Sequence, residues 1–135
     1  MPITSECFLT WCSNLLKQQD LGEFDYRTIV SRSYYSAYHA TLSFAEQTLE
    51  LPISNIKGST HLKLSESLAE FICENKDREK IIRRIGARIN ALHTLRIRAD
   101  YYLDDTLSER DAVGLVKNTN ELLSIINSIQ RELAA

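Results

Sequence analysis

A chain of 135 residues, 44% of them hydrophobic and 25% charged, has the size and composition of one globular domain, residues 1–135, with a single core. No apolar run reaches the roughly 18 residues of a membrane helix, and the opening Met1-Pro2-Ile3-Thr4-Ser5-Glu6 lacks the basic start and apolar stretch of a secretory signal; the expectation is no membrane span and a cytoplasmic location. The net charge of −2 gives no global attraction to nucleic acid, and an odd number of cysteines (Cys7, Cys12, Cys73) argues against a disulfide framework, leaving them as small core or boundary residues.

Only four glycines and two prolines interrupt the chain, and apolar residues recur at helical spacing throughout. A first helix is predicted from a Thr4 or Ser5 cap to about Gly22, with Phe8, Trp11, Cys12 and Leu15 inward. A long second helix is predicted from about Phe24 to Leu51, stopping before Pro52, with a stripe of Val30, Tyr34, Ala37, Tyr38, Ala45 and Leu49. The stretch 52–59 reads as a loop. A third helix should then start at a Thr60 cap and reach about Asn75, burying Leu64, Leu68, Phe71 and Ile72. The fourth is predicted over Asp77 to Tyr102. The fifth begins at Ser108, where Ser-Glu-Arg-Asp (108–111) forms a capping box with Leu107 and Ala112 as its staple, and runs to about Leu133 through Val116, Leu122, Ile126 and Ile129. Long amphipathic helices with short connections make an all-α, up-and-down bundle of four to five helices.

Charge is unevenly placed. Between Lys76 and Arg98 lie eight basic residues and two acids, so that segment carries +6 and the remainder −8. Two readings stand: a solvated helix face balanced by neighbouring acidic helices, or a local attraction for phosphate.

The segment Ser31-Arg32-Ser33-Tyr34-Tyr35-Ser36-Ala37-Tyr38-His39 carries the most chemistry. Residues seven apart on a helix differ by only about 20° in direction, so Arg32 and His39 share a face with Tyr35 between them. That face is about 120–140° from the Val30–Tyr34–Tyr38 stripe, so it should lie outside the core, open to solvent or to another subunit, with Ser31 and Leu42 beside it. Cleavage of RNA by its own 2′-hydroxyl needs a base for the proton and a fixed cation for the charge growing on the phosphoryl oxygens, functions that histidine and arginine supply. The plain alternative is a surface arginine and histidine that happen to align.

Arg88 and His93 form a second pair. Five-residue spacing turns them about 140° apart, on opposite sides of the seam Ile82, Ile85, Ile89, Leu92, which makes a shared pocket harder to build. Arg96 falls in register with that seam and should therefore meet a carboxylate or backbone carbonyls of a neighbouring helix. His61, at a helix start, should favour its neutral form and pack locally. Asp100 and Asp104 are four apart and could share a cation, but no further ligand spacing supports a metal site, and no cofactor is called for.

Three segments together carry a resemblance. Arg-Ser-Tyr-Tyr-Ser-Ala-Tyr-His (32–39) resembles the "R-x-Y-Y-A-x-F-H" segment of short single-domain HEPN proteins. Ser-Thr-His-Leu-Lys-Leu (59–64) resembles their "S-H-x-x-L" helix start with Thr60 inserted, and Leu-Arg-Ile-Arg-Ala-Asp-Tyr (95–101) is similar to their "L-R-x-x-A-D-Y" element. The three occur in the family's order and cover most of the chain.

The resemblance implies a helical bundle that commonly forms homodimers. Many such proteins are metal-independent endoribonucleases of toxin–antitoxin and phage-defence systems, using an "R-x(4–6)-H" motif and often restrained by a small nucleotidyltransferase antitoxin. Arg32–His39 and Arg88–His93 both fit that motif, and motif counting does not separate them. A polar residue often follows the family's arginine; Ser33 fits and Ile89 does not. On this reading Arg32 and His39 are the catalytic pair, Tyr35 orients or stacks, and Arg84, Arg88 and Arg96 contact RNA phosphates. Other members are non-catalytic modules that bind a nucleotide or a nucleotidyltransferase, and fold alone does not choose between them. A purely structural adaptor is a third reading, which leaves the +6 segment unexplained.

Overall fold

The computed structural model describes residues 3–55 and 57–135; Met1 and Pro2 of the opening segment, and Ile56 of the predicted loop, lie outside it. The chain is an all-α bundle, 78% helical, with no strand among the described residues. Its helices are α1 (Ser5–Leu16), α2 (Glu23–Ser43), α3 (Thr60–Ala69), α4 (Lys76–Tyr101) and α5 (Glu109–Ala134).

Helix α2 is the axis of the fold, packed against α1, α4 and α5. It is buried almost all round: Ile29, Val30, Tyr34 and Ala37 are joined by Ser31, Ser33, Ser36 and Thr41. Small hydroxyl residues let three helices approach one backbone, which explains why a single apolar stripe understates its burial. The predicted helix to Leu51 ends as an α-helix at Ser43 and continues as one π turn, Phe44–Thr48, which still buries Phe44 and Ala45.

The ends of α2 and α4 are pinned together. Arg27 donates to the carbonyls of Ala99 (2.9 Å), Arg98 and Tyr102 (each 3.3 Å) and also to that of Asp105, placing a cation on the carbonyls at and just beyond the α4 C-terminus. Glu23 accepts from Arg27 (3.2 Å) and from the Leu107 amide (2.9 Å), and the Leu107 bond first and the arginine second hold its carboxyl below the usual range. The Ser108–Asp111 capping box forms as predicted, with Leu107 and Ala112 buried beside it.

Three further boundaries and two side chains expected inward differ from expectation. Helix α3 stops at Ala69 rather than Asn75, and Ser59, not Thr60, takes its N-cap position. Asn75 is instead engaged as the N-cap of α4, accepting from the Arg78 amide at 3.1 Å, so the chain must turn before it and Ile72 is left exposed. Helix α1 ends at Leu16, and its core face is Leu9 and Cys12; Trp11, expected inward, is 50% exposed. Apolar residues on both sides of α1 fit two faces about 100° apart, and packing on α2 selects one of them. All three cysteines are unpaired, with Cys12 fully buried. No helix of the described residues is long and apolar enough to cross a membrane.

Candidate functional site

Arg32, Tyr35 and His39 lie along one strip of α2 between α1 and α4. Arg32 and His39 are exposed and Tyr35 is half-buried. The Arg32 guanidinium sits 4.7 Å over the Tyr35 ring, and the His39 ring stacks on Tyr35 with centroids 6.1 Å apart. Phe8 of α1 stacks on His39 (6.0 Å, 19° between planes) and Tyr38 meets it edge-on at 5.3 Å. The strip is thus a cation and an imidazole held by aromatic rings, with polar atoms left toward solvent.

The ring between them is itself held. Arg96 Nη2 donates to the Tyr35 hydroxyl at 3.0 Å, and Arg96 Nε is 2.8 Å from Asp100 Oδ2, which also accepts from Ser31 Oγ at 3.1 Å. The Nε hydrogen is not aligned on that oxygen, so charge more than a directed hydrogen bond holds this close pair. The expected carboxylate partner of Arg96 therefore exists, but it comes from one turn further along α4 and not from a neighbouring helix. Asp100 is engaged here and does not join Asp104 in a cation site. Ser31 is buried against α4, not on the open strip; a strip wide enough to include it would need α4 further away.

Behind the strip lies a cluster that no sequence spacing announces. His61 at the start of α3 and His93 in α4 stack with ring centroids 4.7 Å apart and planes 13° apart. The Tyr38 ring lies tilted against His61 with centroids 4.4 Å apart, and a 2.5 Å hydrogen bond joins the buried Tyr34 hydroxyl to His61 Nδ1. Gly86 makes this possible: a Cβ there would come within 2.8 Å of Ser65 O and Ala69 N, so only glycine lets α3 lie flush on α4 with His61 beside His93. Burial first, and the nearby His93, Arg96 and His39 charges second, hold His61 below its ordinary pKa; burial and then Arg96 do the same for His93. Burial likewise pushes the Tyr34 phenol well up. The signal for this cluster is tertiary, because its members stand far apart on three helices.

The competing pair is not brought together. Arg88 points to α5, 3.6 Å from Glu121, whereas His93 faces Tyr34 and His61. Arg84 and Arg88 rim a groove of about 400 Å³ between α4 and α5, floored by Ile81, Ile85, Ile125 and Ile129, on another side of α4 from Arg96. The basic segment is largely neutralised within the fold. Lys76, Arg78, Arg88, Arg96 and Arg98 pair with Glu79, Glu132, Glu121, Asp100 and Asp105. Arg84 and Arg88 line the groove, and Arg96 lies on another side of α4 against Tyr35 and Asp100.

Among the described residues no three His, Cys, Asp or Glu side chains gather to hold a metal ion. The chain matches no protein-family model, no curated protein and no solved structure.

Proposed function

We propose that this protein is a HEPN-type, metal-independent endoribonuclease of the toxin or defence kind, with Arg32 and His39 as its reactive pair. One observation supports the reading above others: Arg32 and His39 stand open at the two ends of one ring-lined strip, with Tyr35 between them fixed by Arg96. An unprotonated His39 imidazole takes the proton of a ribose 2′-hydroxyl. The 2′-oxygen then bonds to phosphorus as the bond to the 5′-oxygen breaks, giving a 2′,3′-cyclic phosphate and a 5′-hydroxyl that recovers a proton from the imidazolium or water. Arg32 offsets the charge that builds on the phosphoryl oxygens, and Tyr35 positions its guanidinium. Because the Tyr35 ring separates the two groups, a two-fold homodimer that pairs this strip would bring Arg32 of one copy to His39 of the other.

The test is cleavage of varied single-stranded and structured RNAs in the presence of a chelator. Activity should persist there, fall as salt rises, and drop on the order of 10²-fold or more in Arg32→Ala and in His39→Ala. Intact RNA with the wild-type protein, together with normal growth of cells expressing it, overturns the reading. Light scattering that shows a monomer at high micromolar concentration removes the dimer. A second reading, a non-catalytic module that binds a nucleotide or a nucleotidyltransferase partner, is favoured by the α4–α5 groove, whose isoleucine floor and charged rim suit an amphipathic surface.

A further inference from the structure

The core-facing side of α1 is formed by Leu9 and Cys12, with Leu15 and Leu16 packed against the core, which leaves Cys7, Phe8 and Trp11 outside it. These gather with Ile3 at one place. Ile3, Cys7, Phe8 and Trp11 line a cavity of about 280 Å³ against α2, which contributes Thr28 and, at the edge, Arg32. Ile3 is 77% and Trp11 50% exposed, so about half of the indole reaches solvent in a cavity that Arg32 also lines. The Thr28 hydroxyl is turned away, donating to the Phe24 carbonyl at 2.9 Å, which leaves the walls apolar except at the Arg32 edge.

We infer that this cavity seats one nucleobase of a single-stranded RNA, with the adjoining phosphate at Arg32. The inference deepens the proposed function and rests on the phosphate-contacting role proposed there for Arg32. Three features select that occupant. The walls hold two aromatic rings, and aromatic faces hold bases without regard to sequence because every base has a π face. The single cation lies at one edge, which suits a ligand that is flat and apolar at one end and anionic at the other. The volume takes one planar heterocycle but not a helix. Phe8 ties this seat to the chemistry, since it lines the cavity and also stacks on His39. A base lodged there carries its phosphodiester to Arg32 of its own copy and, in the proposed dimer, toward His39 of the other. Duplex bases are stacked and cannot enter, so the seat makes the protein selective for single strands.

Trp11 is the sole tryptophan, so its emission reports on this cavity alone. The experiment is a fluorescence titration of the full chain with a short 2′-O-methyl oligoribonucleotide, which binds but lacks the attacking hydroxyl. Saturable quenching is expected, with none from inorganic phosphate and none from the same sequence as a duplex. Binding of a dye-labelled copy of the oligomer should weaken on the order of 10-fold in Trp11→Ala and much less in Trp11→Phe, at unchanged circular dichroism. Quenching without cleavage of any RNA upholds the seat while the nuclease reading fails. Cleavage with no quenching, and the same KM in Trp11→Ala, overturns the seat while the nuclease reading stands. Equal quenching by phosphate alone also overturns it, because Arg32 would then be the whole site. So does a blue shift of Trp11 emission that follows dimer formation and is indifferent to RNA, since a second copy would then cover the cavity.

Discussion

Arg32–His39 and Arg88–His93 are interchangeable as spacings, and the fold treats them in opposite ways. The first pair sits on a strip of α2 between α1 and α4, both ends exposed, bridged by a ring that Arg96 anchors. The second is split across α4, its arginine at an acidic residue of α5 and its histidine inside a stack with α2 and α3. Spacing fixes the angle between two side chains on their own helix. Which of them meet a common ligand depends on where the neighbouring helices lie.

The largest expected contrast is between the two histidines. His39→Ala should lower RNA cleavage on the order of 10²-fold with only a small loss of melting temperature, because the residue and its ring contacts lie at the surface. His93→Ala should do the reverse, costing about 1 kcal/mol of stability through the lost ring contacts while the rate of the folded enzyme stays near wild type. Equal rate losses with unchanged melting in both would erase the distinction between the pairs.

Gly86→Ala attacks the packing that creates the difference. A methyl group 2.8 Å from two backbone atoms cannot be relieved by turning a side chain, so α3 must shift, at a cost of about 1–3 kcal/mol. Denaturant unfolding measures this, and a neutral result would mean that α3 does not lie flush on α4.

The stacked histidines should also make stability pH-dependent. Both have pKa values lowered in the folded state, so as pH falls through their ordinary value of about 6.5 the unfolded chain gains protons that the folded chain resists. The melting temperature should therefore fall between pH 7 and pH 5. The double variant His61→Gln, His93→Gln should flatten that slope, and an equally steep slope in it would assign the effect to other groups.

The smallest effect belongs to Arg88→Ala. Its pair with Glu121 is wide and nearly half-exposed, so the loss should stay under about 1 kcal/mol, with cleavage retained. A large rate loss here, with Arg32→Ala active, would move the site to the α4–α5 groove.

Periodicity, scarce breakers and the Ser108–Asp111 box were sufficient to read the all-α bundle, the span of α4 and α5, and the exclusion of Arg32 and His39 from the core, because each depends on residues within a few turns of one another. Tertiary structure alone decided the rest. Trp11 faces outward because α1 had two apolar sides and α2 accepted Leu9 and Cys12. The basic run of α4 is spent on ion pairs because acids of α5 and of α4's own next turn lie within reach. His61 and His93 touch because Gly86 lets two backbones approach. Each of these is a contact between segments distant along the chain, and helical periodicity carries no record of which partner a given face will meet.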